Sequence, residues 1–244
     1  MRDALNFELP RRDAVKMLSA LAAGAAVFKN SSLLAVVTPE EPEKSPAKTP
    51  EEISAVEDLM REHSLLGRML LIYEEIHTRL TAGKEFTVST LAENADIIRR
   101  FVEDYHEKLE EDFLFPRFEK AGKLVDLVNV LLQQHQAGRK LTDKIRNLAD
   151  SSSLQSPDSR KKLAEFIHLF IRMYRPHKDR EGTILFPAIR SVFTSAEYDA
   201  LGDKFEDKER QLFGENGFEK MVSQVAGMEK TLGIYELAQF TPTI

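Results

Sequence analysis

Polar and apolar positions between residues 50 and 240 recur with helical spacing and nowhere alternate over a useful length, so the pattern predicts helices and no sheet. The first helix is expected to open at Thr49-Pro50-Glu51-Glu52, a capping box with proline at the first helical position. Apolar residues then return at Val56, Leu59, Met60, Leu66, Leu70 and Ile76, until Gly83 breaks the run. Thr87 or Ser89 opens a second helix that reaches about Phe118, before Gly122. A third covers roughly Leu124 to Ala149, and Ser156-Pro157 starts a fourth that reaches about Val192. Long helices with short connections predict an all-α, up-down-up-down four-helix bundle over residues 50–192. Two shorter helices are expected over 193–244, one from the Thr194-to-Glu197 capping box and one around "GFEKMVSQVAGMEKTLG". They should pack on the outside or the end of the bundle.

Ahead of the bundle the pattern changes twice. Arg11-Arg12, then Lys16, then a weakly apolar run from Met17 to Phe28 reads as a twin-arginine export signal over residues 1–37. Ala23-Gly24-Ala25 is a small-residue cleavage site, while Pro10, Ala14 and Val15 depart from the usual pattern. The run is too short to span a bilayer, which takes about 20 residues. Extending it through Leu33 to Val37, as a retained anchor would, means burying Lys29 and Asn30. A periplasmic or otherwise exported protein is therefore expected, touching membrane only through this segment if it is not cleaved. "TPEEPEKSPAKTP", over 38–50, has prolines and alternating charges and reads as a solvated tether.

The bundle sequence repeats itself. "YHEKLEEDFLFP" (Tyr105 to Pro116) returns as "YRPHKDREGTILFP" (Tyr174 to Pro187), each with His-x-x-x-Glu and with Leu-Phe-Pro expected to close the helix. His106 and His177 are 71 residues apart, and the lone histidines His63 and His135 of the preceding helices are 72 apart. The chain is thus a tandem duplication of a helical hairpin. Residues four apart lie on one helix face with Cβ atoms about 5–6 Å apart, so His106 with Glu110, and His177 with Glu181, can serve one site. Their stripes are otherwise apolar: Val102, Leu109 and Phe113 on the second helix, Phe170, Met173 and Ile184 on the fourth. His63 and His135 likewise lie among leucines, so all four histidines should face the core.

A single core histidine is usually just a satisfied polar group. Four at repeated spacing, with two glutamates that a core would not leave charged and unpaired, call for a cation. His77 lies 14 residues past His63, about 21 Å along the helix, and His168 is half a turn out of phase with His177. Neither has a counterpart in the repeat, and both are excluded. Cysteine is absent, which removes disulfides, thiolate zinc sites and cysteine-ligated clusters, so any metal is held by His and carboxylates. The net charge of −6 argues against a nucleic-acid partner. A ferritin-like scheme built on Glu-x-x-His would use Glu103 with His106 and Glu165 with His168. The repeat does not relate those pairs, and the third helix has no glutamate.

The order His63, His106-x-x-x-Glu110, His135, His177-x-x-x-Glu181, with Glu62-His63 and both Leu-Phe-Pro runs, resembles the hemerythrin-like (HHE) cation-binding family over about residues 50 to 190. The resemblance implies a non-haem di-iron centre with Glu110 and Glu181 bridging the irons. Oxygen-carrying members add a fifth histidine as His-x-x-x-His on the third helix, where this chain has Arg139 after His135. The four-His, two-Glu set is nearer to members linked to repair of iron centres after nitrosative stress, which add an N-terminal cysteine-containing region. Two bridging carboxylates and two imidazoles give each metal four donors, leaving room for a bridging oxygen and a small exogenous ligand. The expectation is an exported di-iron protein that binds or reacts with a diatomic such as O2 or NO. An enzyme reducing NO or peroxide, and iron storage or donation, stay open as alternatives. Glu103 and Tyr174, one turn before the helix-2 and helix-4 histidines, with Arg139 and Glu74, are the candidates for supporting groups around the site.

Overall fold

The computed structural model describes residues 53–243. The segments expected to form an export signal and a tether, and the capping box expected at Thr49-Pro50-Glu51-Glu52, lie outside the described residues. Helix α1 (Ala55–Thr81) begins later than that box implies. Ser54 is extended and its side chain accepts the Glu57 N–H, with Glu57 and Asp58 in the positive first turn. A short side-chain cap immediately before the apolar stripe therefore defines the start.

Helix α2 spans 88–121 without a break but is not uniform. It is α-helical over Val88–Ile97, widens to i→i−5 pairing over Ile98–His106, and returns to α over Glu107–Leu109. It widens again over Glu110–Leu114 and ends as an α-helix over Phe115–Ala121, stopped by Gly122 at φ 63°. Helix α3 is Val125–Leu148. Helix α4 spans 157–191, α-helical over Pro157–Arg180 behind the Ser156 cap and widened over Glu181–Leu185. No strand occurs among the described residues.

Helices α1 to α4 form the bundle: α4 packs on α1 and α3, and the widened part of α2 packs on both of them. The core is continuous through Leu59, Leu66, Leu70, Phe101, Leu131 and Phe170. Two positions of the expected stripes fall outside it, Met60 being 41% and Ile184 40% exposed. In the second case the widened turn adds a residue, so Leu185 faces the core in place of Ile184.

The Thr194–Glu197 capping box opens α5 (Ser195–Phe213), and α6 (Gly217–Leu232) follows. Both lie on the outside of the bundle, α6 against α1 and α2, α5 against α1 and α6. Arg68 holds Glu229 through a two-pronged ion pair, and Phe213 and Phe218 pack on Phe101. No helix among the described residues is long and apolar enough to cross a membrane.

Candidate metal centre

The six residues singled out by the repeat come together in the core. His63 arrives on α1, His106 and Glu110 on α2, His135 on α3, and His177 and Glu181 on α4. All six are buried, and both glutamates and His135 are fully so. Potential ligand atoms of His63, His106 and Glu110 lie within 4.8 Å of one another, as do those of His135, His177 and Glu181. The rings of His63 and His106 are 4.8 Å apart at 56°, and those of His135 and His177 are 5.0 Å apart at 55°. The sequence repeat is thus an approximate two-fold axis through the site.

Each glutamate faces both histidine pairs. Glu181 puts Oε1 3.1 Å from His177 Nε2 and Oε2 3.2 Å from His63 Nε2. Glu110 puts Oε2 3.5 Å from His135 Nε2 and Oε1 3.9 Å from His106 Nε2. Each carboxylate thus turns one oxygen to each histidine pair.

The Leu-Phe-Pro runs have a different role from closing a helix. The N–H of Phe115 bonds the carbonyl of Glu110, and the N–H of Phe186 bonds the carbonyl of Glu181. Pro116 and Pro187 cannot donate, and their rings would crowd the carbonyl four residues back in a regular helix. The wider turn relieves both problems at the ligand, and each helix continues beyond its proline. The phenyl rings then reach across the axis. Phe115 stacks on His135 at 5.5 Å and Phe186 on His63 at 5.1 Å, both at 22°. Each lone histidine is covered by the aromatic ring of the opposite hairpin.

Outer partners fix the rings. Glu62 Oε2 lies 2.7 Å from His106 Nδ1, and Gln134 Oε1 lies 2.9 Å from His177 Nδ1. Both oxygens accept, so Nδ1 carries the proton and Nε2 presents its lone pair to the centre. Here the symmetry ends. His135 Nδ1 lies 3.1 Å from Glu111 Oε1, whereas the position equivalent to Glu111 is Gly182 and His63 Nδ1 is buried without a hydrogen bond.

Of the supporting candidates, three share one buried network on the His135 side. Arg139 lies 2.8 Å from both Glu107 and Glu111 and donates to the backbone oxygen of Glu103. Tyr174 donates to Glu107 at 2.6 Å, and its ring meets His177 edge-on. Glu103 is fully buried, bonded by the Thr142 hydroxyl and paired with Arg99 at 3.0 Å. Burial lifts its carboxyl to about 7 despite those partners. Glu74, expected to extend toward the centre, instead pairs with Arg175 in a surface cleft. Glu62, Gln134, Glu107, Glu111 and Thr142 were not among the expected site groups. Glu62 and Gln134 carried a signal, since both precede a lone histidine, 72 residues apart. Glu107 and Glu111 carried none, because the repeat has Lys178 and Gly182 there.

Electrostatics test whether cations fit. Burial holds His63, His106 and His135 down at about 4, in the neutral form that ligates. Burial and the neighbouring Glu181 push the Glu110 carboxyl well up. The protein groups alone thus disfavour a second negative charge. All four oxygens of these glutamates are buried without a hydrogen-bond donor. Two cations facing converging nitrogen and oxygen donors would satisfy every one of these groups. The residues fit a metal centre.

Comparison with known proteins agrees. The model of the hemerythrin HHE cation-binding domain matches residues 54–189, and matches again over 126–230, starting within the second hairpin. Uncharacterized proteins of Mycobacterium bovis and Mycobacterium tuberculosis are 46% identical over 230 residues, covering 93% of this chain and 89% of theirs. No solved structure matches significantly. With its repeated hairpins and its paired His-x-x-x-Glu helices, the chain belongs to the hemerythrin HHE cation-binding family.

Proposed function

We propose that the centre holds two iron ions, His63 and His106 serving one and His135 and His177 the other, with Glu110 and Glu181 bridging, and that the pair meets a small diatomic ligand, O2 or NO. The observation that carries this reading is that each buried glutamate turns one oxygen to each histidine pair. Histidine and carboxylate donors with no thiolate suit iron, and four donors per ion fall short of an octahedron, whereas a structural zinc site is closed and tetrahedral. When bound, the irons supply open coordination positions and electrons.

The protein's own groups set the conditions around them. Phe115 and Phe186 cover the lone histidines with apolar rings that exclude water. Glu62 and Gln134 hold their histidines in one tautomer. Arg139 stands where the oxygen carriers have a fifth histidine, and its guanidinium cannot ligate. The two halves therefore have equal donor sets, and the reading is that O2 oxidises the centre while NO binds its reduced form. Reduction of NO or peroxide is a second reading, favoured by the buried Tyr174–Glu107–Arg139 network beside His177. Export through Arg11-Arg12 belongs to the same proposal: a twin-arginine route carries folded protein already loaded with metal.

Stopped-flow spectra of the di-ferrous protein mixed with O2 or NO test the reading. The expected results are irreversible oxidation by O2 and a nitrosyl spectrum with NO. An oxygenated adduct that releases O2 intact under vacuum contradicts it.

A further inference from the structure

The two histidines that the repeat leaves out meet each other. His77 on α1 and His168 on α4 face across the groove between their helices, ring centroids 5.7 Å apart and planes inclined at 33°. With Glu74, Thr78, Arg172 and Arg175 they line a surface cleft of about 610 Å³. The histidine pairs of the buried centre are 4.8 and 5.0 Å apart, so this pair is wider by less than an ångström. Small rotations about the side-chain bonds of two partly exposed residues close that difference.

The pair also lacks any other evident purpose. Among the described residues neither imidazole has a side-chain hydrogen bond or an ion pair, and neither ring is part of the core. Two imidazolium rings so close would repel, and burial together with His168 lowers the basicity of His77. What is left is a pair of imidazoles whose nitrogens can turn toward one ion in the cleft. Glu74 stands one turn before His77 and lines the same cleft; its carboxylate is paired with Arg175 and must turn from that arginine to join the two rings. Two nitrogens and an oxygen, with no sulfur, suit a borderline divalent cation. The neighbouring Arg172 and Arg175 charges oppose tight binding, and the open cleft leaves water on the remaining positions. Exchange should be fast.

We propose that His77, His168 and Glu74 form a second, exchangeable site for one borderline divalent cation such as Zn(II), at the opposite end of α1 from the buried centre. Binding here joins α1 to α4 about 21 Å from His63, a separation that keeps the two sites chemically independent.

Equilibrium dialysis of the protein as purified against Zn(II), with zinc and iron measured together, is the test. Wild-type protein is expected to take up one zinc per chain with its iron content unchanged. The His77→Ala/His168→Ala double variant should lose that zinc and keep its iron, and Glu74→Gln should retain zinc more weakly. Because the difference between wild type and the double variant is the readout, it holds whatever the buried centre contains. Zinc uptake that is equal in the two proteins, absent from wild type, or matched by loss of iron would overturn the proposal.

Discussion

Replacing Gly138 with Ala should destabilise the protein, although the same change in an exposed helix stabilises it. Gly138 lies on α3 where Tyr174 of α4 passes to reach Glu107. An added Cβ would stand 1.9 Å from the Tyr174 hydroxyl oxygen, 2.7 Å from Cζ and 2.8 Å from Cε2. Tyr174 is buried and cannot step aside without leaving Glu107 and its contacts with Phe170 and His177. Losing the hydrogen bond costs about 1–3 kcal/mol, and overpacking adds about 1–3 kcal/mol. The better helix propensity of alanine returns about 1 kcal/mol. The net is about 1–5 kcal/mol of destabilisation, and each kcal/mol lowers Tm by about 2–4 °C in a unit of this size. Urea unfolding followed by far-ultraviolet circular dichroism measures it, in wild type and in a Tyr174→Phe background. Without the hydroxyl the closest approach relaxes to the 2.7 Å of Cζ, so the alanine should cost less there. A neutral or stabilising Gly138→Ala, or an equal cost in both backgrounds, would refute the reasoning.

A pH effect follows from Glu103, whose carboxyl is lifted from 4.5 to about 7 by burial. The folded state then binds the proton more tightly than the unfolded chain, so this contribution is complete below pH 4.5 and fades as pH rises through 7, by about 3 kcal/mol at most. Glu103→Gln should flatten that part of the pH profile of Tm, and identical profiles would contradict it. His106→Ala or His177→Ala should empty or half-empty the metal centre, since each removes a ligand and leaves its glutamate poorly oriented, while His77→Ala and His168→Ala leave iron content unchanged. Metal analysis showing the reverse pattern would sink the assignment of ligands. Changing Arg11 and Arg12 to Lys should strand the precursor inside the cell, and fractionation that finds it exported as before would count against the signal.

The sequence made the bundle legible because leucines such as Leu59, Leu66 and Leu70 share one stripe, and a stripe is a local property of the chain. The convergence of His63, His106, Glu110, His135, His177 and Glu181 was legible because the hairpin is written twice, which turned isolated histidines into a pattern. What escaped was non-local or broke a period. The stacking of Phe115 on His135 and Phe186 on His63 crosses between hairpins, so the Leu-Phe-Pro runs read only as helix ends. The widened turns at Glu110 and Glu181 add one residue to a 3.6-residue period, which moved Ile184 out and Leu185 in. Glu107 and Glu111, which Arg139 holds, lie on one half alone, where the repeat offers no second copy to compare. His77 and His168 were set aside one at a time for lack of a counterpart. Their meeting across the α1–α4 groove is a tertiary fact that neither position announces.

In the proposed centre two ions lie side by side under two bridging glutamates. Metal analysis of the purified protein, combined with Mössbauer spectra of its oxidised form, tests this most directly. The expected result is two irons per chain, coupled into an EPR-silent ferric pair. A single iron per chain, or a pair of uncoupled ferric ions with separate EPR signals, would contradict it.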